Sequence, residues 1–236
     1  MHAEQLAFVR GWSDTRAALR EWRARPSATF APWVAGSLAV AVMLLLATWI
    51  VAALSMPDPT GWTLVGVGRH GEWEDFFFIL YRNALVLSLH AMACVAGFIA
   101  GSSLPVASQG YTGWWRRVHD RAGRLAMGFV AGATLFSLGT QAYALGAAAS
   151  TMAADRDMSP ALLLIGLLPH ALPELCALFL PLAAWILASR RGAWSELLAA
   201  TFATTAIAVP VLLAAAAVEV WVTPELLAIL SEATAP

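Results

Sequence analysis

Arg82, Asn83 and His90 share one long apolar stretch, His170 and Glu174 a second, and Glu219 closes a third, each a place where a polar side chain needs a partner or a task. His170 and Glu174 stand four residues apart, so a helix carries both on one face. With His90 they supply two imidazoles and a carboxylate, a set able to exchange protons, pass an ion or hold a divalent metal such as zinc. Arg82 and Glu219 have opposite charge and can neutralise one another. A plainer reading is a polar clasp, in which the groups satisfy one another and lock helices together without ligand or turnover. The chain has no His-Glu-x-x-His protease motif, Gly-x-Ser-x-Gly elbow, Walker loop or dinucleotide fingerprint. No cofactor is therefore predicted and no residue is assigned a catalytic role. A metal on His90, His170 and Glu174, and with it an intramembrane metal-dependent or acid–base enzyme, is the weaker alternative.

The elements that must position these residues are membrane helices. Of 236 residues, 60% are hydrophobic and 12% charged, where a soluble domain carries about 25% charge. Mean hydropathy is +0.70. One aqueous core cannot hide that much apolar surface, so the partner is a lipid bilayer. A net charge of −1 argues against nucleic acid as a partner. Cys94 and Cys176 both lie in apolar runs, which excludes a disulfide scaffold.

The fold class predicted is an all-α, polytopic membrane bundle with spans near 31–55, 76–102, 122–150, 160–188 and 195–221, each long enough for a hydrocarbon layer of about 30 Å. Residues 1–28 form a separate amphipathic, interfacial segment, with Leu6, Val9, Trp12, Ala17, Leu19 and Trp22 set against Arg10, Arg16, Arg20 and Arg23. Residues 29–236 form the transmembrane domain. Arginines alternate across the five spans: residues 10, 16, 20, 23, 25, 116, 117, 121, 124, 190 and 191 fall on one side and residues 69 and 156 on the other. By the positive-inside rule the amino terminus is cytoplasmic and the carboxyl terminus external. Trp33, Trp62, Trp73, Trp114, Trp115, Trp194 and Trp221 lie near span ends and are read as headgroup anchors.

Helical rise places His90 about 21 Å, Glu174 about 20 Å and His170 about 14 Å from the outer entry of their spans, with Arg82 about 9 Å down. His90 and Glu174 then share a level, and Arg82 can reach Glu219 in the outer third. Pro169, Pro173 and Pro181 predict a kinked or interrupted fourth span, and Pro210 a weak point in the fifth. Gly97–Gly101 and Gly128–Gly132 are GxxxG steps suited to close helix approach, within the chain or in a homo-oligomer.

The run Leu167-Leu168-Pro169-His170-Ala171-Leu172-Pro173-Glu174-Leu175-Cys176-Ala177-Leu178-Phe179 resembles the signature of the stage II sporulation protein M family, a Pro-His-Gly followed by Glu-Leu in a membrane helix. Phe76 to Asn83 is similar to the family's phenylalanine-rich entry to an Asn-Asn helix. Ala216-Ala217-Val218-Glu219, followed by Thr223-Pro224, is similar to its closing helix. Ala171 stands where the family has glycine, one asparagine stands for two, and the 103–124 connection is long. The resemblance covers roughly residues 70–230. It implies a multi-pass protein of the bacterial plasma (inner) membrane that acts with protein partners, as a scaffold or subunit of a remodelling or export complex, with a transporter ATPase among the partners. A secondary transporter or permease-like component using the His/Glu site is the alternative.

Overall fold

The computed structural model describes residues 7–58, 71–103 and 112–234. Every regular element among them is helical. In chain order these are α1 (Ala7–Ala24), α2 (Pro26–Leu54), α3 (Trp73–Phe98) running into a π turn (Ile99–Ser103), α4 (Gly113–Asp155) and α5 (Pro160–Arg191). A 3-10 turn (Trp194–Glu196) then leads into α6 (Leu197–Ala217), a second π turn (Val218–Val222) and α7 (Thr223–Thr234).

Local chemistry sets the ends. Ser159 caps α5 by accepting the Leu162 N–H at 3.3 Å, and Pro160 occupies the first helical position, where its missing donor costs nothing. Gly192 stops the same helix: its φ of 71° lets Ala193 N–H reach back to Ala188 O at 2.9 Å. Glu74 and Asp75 sit in the first turn of α3, where carboxylates favour the helix dipole.

The chain divides into two compact units, one of Met1–Ser37, Val86–Ala133 and Leu178–Ala208, the other of Leu38–Leu85, Thr134–Ala177 and Val209–Pro236. In the first, Ala18, Trp22, Trp33, Leu180, Ala184, Ala199, Ala200 and Ala203 form a buried cluster. His90 Nδ1–H donates to Leu178 O at 2.7 Å, and the Cys94 thiol to Pro181 O at 3.3 Å, so two side chains of α3 hold carbonyls of α5. In the second unit, Ala52, Ala149, Met152, Ala153, Met158, Leu163, Leu167 and Leu227 form the core. A smaller cluster joins Ile79, Ala216 and Val220.

The side chains are distributed as lipid requires. Along α2 the buried positions are Trp33, Ser37, Ala41, Leu44, Thr48 and Ala52, a stripe spaced by three and four that is mostly small or polar. Its exposed positions include Leu38, Val42, Met43, Leu46, Trp49 and Ile50. Large apolar residues outward and small or hydroxylated residues inward is the arrangement of a membrane bundle, in which small residues let helices approach.

Four described helical segments are long and apolar enough to cross a membrane: Pro26–Leu54, Trp73–Gly101, Pro160–Arg191 and Trp194–Ala233. The all-α membrane bundle stands. The fifth predicted span, 122–150, falls within the single 43-residue helix α4, whose amino-terminal side chains lie partly outside the described residues. Of the kinked or interrupted helix expected around the prolines, the interruption is not seen: α5 runs on through Pro169, Pro173 and Pro181.

Two surface expectations change as well. Trp33 is no headgroup anchor, being buried edge-on against Trp22 and Phe30 with ring centroids 5.1 and 5.2 Å away. The inner face of α1 is Gly11, Thr15, Ala18 and Trp22, at spacings of four, three and four, and it packs on the Trp194–Glu196 turn. Trp12, counted with the apolar face, is exposed beneath the Arg16 guanidinium, 5.2 Å away. The helical period is present in this segment, but glycine and threonine, which permit close approach, mark the packed face better than bulk does. Trp62 and Arg69 lie outside the described residues, as do the side chains of Trp115, Arg116, Arg121 and Arg124.

Candidate functional site

Five of the six polar residues singled out above, Arg82, Asn83, His170, Glu174 and Glu219, line one cavity of about 170 Å³ within the second unit. Thr48 lines it too, with leucines and an isoleucine completing the walls. His90 is placed in the first unit, where it holds Leu178 O and stacks 5.5 Å from Phe179. Among the described residues, no group of three or more His, Cys, Asp or Glu side chains is placed to hold a metal ion.

Each polar residue reaches the cavity for a local reason. Arg82 and Asn83 are adjacent on α3, so they point about 100° apart. Asn83 is buried, whereas Arg82 lies on the exposed side with its guanidinium 6.0 Å from the Phe78 ring. His170 and Glu174 are one turn apart on α5. Glu219 lies inside the π turn, where one extra residue in the helical turn shifts the register of α7 and leaves carbonyls without their usual donors. Thr223 repairs one of these, its hydroxyl donating to Val218 O at 3.1 Å.

That bond orders His170. Thr223 has one hydroxyl proton and gives it to a carbonyl, so across the 2.8 Å contact the imidazole Nδ1 is the donor and Thr223 Oγ1 the acceptor. His170 in its neutral form then carries its free lone pair on Nε2. His90 is fixed in the same way, since Leu178 O can only accept. Both histidines therefore have one nitrogen committed and one to spare.

The remaining cavity groups are not closed among themselves. Glu174 and Glu219 lie within electrostatic range of each other and of Arg82. Asn83 lies against the Glu174 carboxyl without a well-formed hydrogen bond at Nδ2, and the buried Thr48 Oγ1 has no partner among the described residues. A buried polar atom without a partner costs about 1–3 kcal/mol. A cavity of about 170 Å³ with these polar groups on its wall has room for several waters, since one needs about 10–15 Å³ of such volume. Thr48→Val discriminates here. In a dry cavity it removes an orphan hydroxyl and raises stability by about 1 kcal/mol or more. In a wet one the hydroxyl is already satisfied, and chemical denaturation of the variant is expected to give no gain.

Thr48 and Thr223 are not among the residues the sequence singles out, because hydroxyls in membrane helices ordinarily bond their own backbone. The signal that identifies Thr48 is its place in the inward stripe of α2. Gly128 and Gly132 have nothing within 4 Å of a notional Cβ, whereas at Gly97 such an atom would meet Trp185 and Leu197. One glycine step is thus filled within the chain, and the other is open among the described residues.

Residues 123–224 match the family model of Stage II sporulation protein M. The match takes in α5 with His170 and Glu174, Glu219 and Thr223, and leaves out the Phe76–Asn83 segment. No curated protein and no solved structure matches the chain.

Proposed function

We propose that this Stage II sporulation protein M-like membrane protein is a multi-pass subunit of an export or remodelling complex in the bacterial plasma membrane. Its cavity serves as a solvated binding site rather than a static clasp. The observation that carries this reading is the buried Thr48 Oγ1, without a partner among the described residues, on the wall shared with Asn83, Glu174 and Glu219. A clasp stabilises by mutual satisfaction, and a partly satisfied network is worse than an apolar core. Groups left open beside carboxylates are instead suited to a solute or ordered water. The arginine distribution favours a cytoplasmic amino terminus. There Arg16, Arg20 and Arg23 on the exposed side of α1 offer a basic face to a partner such as a transporter ATPase.

Cysteine accessibility tests the site. With Cys94 and Cys176 replaced, Ala171→Cys is expected to react with a charged, membrane-impermeant thiol reagent, as does Met56→Cys, two residues beyond α2 and 91% exposed. Reaction at Met56→Cys with none at Ala171→Cys would establish a sealed clasp.

A further inference from the structure

The cavity's charge and shape say more than that it is open. Its titratable lining groups are Arg82, His170, Glu174 and Glu219, and His170, taken in its neutral form with Nδ1–H on Thr223, adds no charge. With both carboxyls ionised and Arg82 counted in full, one negative charge is left over. Arg82 lies on the exposed side of α3 and leans on Phe78, so it offsets even less than its formal charge. An uncompensated charge among leucines is expensive, and it is relieved either by a proton shared between the carboxyls or by a bound positive charge.

The walls define which positive charge fits. Most of the lining is aliphatic, including Leu44, Leu145 and Leu167. A bare or hydrated metal ion would set those surfaces against water it must keep. A primary ammonium on a short alkyl body suits both parts: its N–H donors reach carboxylate oxygens, Thr48 Oγ1 and the His170 Nε2 lone pair, and its methylenes cover the leucines. A volume of about 170 Å³ accepts a handful of non-hydrogen atoms. We propose that the site binds a small organic monocation, an alkylammonium head held between Glu174 and Glu219 with its apolar body along α2 and α5. This rests on the reading of the cavity as a solvated site.

The test is calorimetric titration of the detergent-purified chain with n-butylammonium chloride, with n-butanol and sodium chloride as matched probes. Saturable one-to-one binding of n-butylammonium alone is expected, weakened at least about tenfold in Glu174→Gln and in Glu219→Gln, since charge-assisted hydrogen bonds are about twice as strong as neutral ones. Equal binding of n-butanol would reduce the site to an apolar pocket, and equal binding of sodium would make it an inorganic ion site. Either result overturns the assignment. Should the glutamine variants fail to fold, slowing of the Ala171→Cys reaction by n-butylammonium, and not by n-butanol, reads the same contact in the otherwise intact site. A reactive Ala171→Cys with no heat and no protection overturns the monocation while the solvated site survives. An unreactive Ala171→Cys with no heat overturns both.

Discussion

Trp22→Ala is expected to destabilise the protein by about 3–5 kcal/mol, the range for truncating a large buried aromatic. Trp22 is 5% exposed and meets Trp33 at 5.1 Å and Phe30 at 6.2 Å, both edge to face. Such pairs contribute about 0.5–1.5 kcal/mol each beyond the area they bury. The same indole packs among alanines of α5 and α6, which cannot close over the space it vacates. An 18-residue helix is marginal alone in water, so α1 should come loose before the rest unfolds. Equilibrium unfolding in mixed micelles measures the loss, and early proteolytic cutting within residues 7–24 localises it. Trp22→Phe, which keeps an aromatic edge, should lose clearly less. A change below about 1 kcal/mol for alanine would mean that α1 rests on lipid rather than on this cluster.

Gly146→Leu is expected to be strongly destabilising. A Cβ there would fall 2.5 Å from Val51 Cβ and 2.9 Å from Thr48 O. The second of these is backbone, which cannot swing aside, so α2 and α4 must part. Overpacking costs about 1–3 kcal/mol and more where the backbone has to move. It would also widen the cavity, since Thr48 and Leu145 line it. Gly132→Leu is the matched control: with nothing within 4 Å, the isolated chain should tolerate it to within about 0.5 kcal/mol. Thermal unfolding of the pair in one detergent makes the comparison. Equal losses would show that glycine's backbone freedom, rather than the α2–α4 approach, explains Gly146.

The membrane class is legible in composition because it depends only on the sum of apolar surface, and the helices are legible in run length. Span number is harder to read. The α4 stretch mixes glycine, threonine and glutamine with apolar residues, and whether such a helix meets lipid or protein depends on neighbours that periodicity does not identify. His170, Glu174 and Glu219 stand out as titratable groups in apolar runs. Rise per residue sets their depth but not the rotation of each helix. For that reason calculated depth groups His90 with Glu174, whereas His90 holds Leu178 O and is not among the residues that line the cavity. Thr223 stays hidden in the sequence because its role depends on the π turn, and a single inserted residue leaves no mark in hydropathy. Trp33 misleads because an indole near a span end suits a headgroup layer and an aromatic cluster equally well.

The central claim is that the groups around Glu174 and Glu219 form a solvated binding site within apolar helices. A density map of the protein in a lipid nanodisc, at a resolution that shows ordered water, tests it most directly. Density in the cavity is expected to bridge Asn83 Nδ2 and Thr48 Oγ1 to the carboxylates, with His170 still bonded to Thr223. A collapsed, dry cavity in which Arg82 pairs directly with both glutamates and Asn83 is satisfied by protein alone would contradict it.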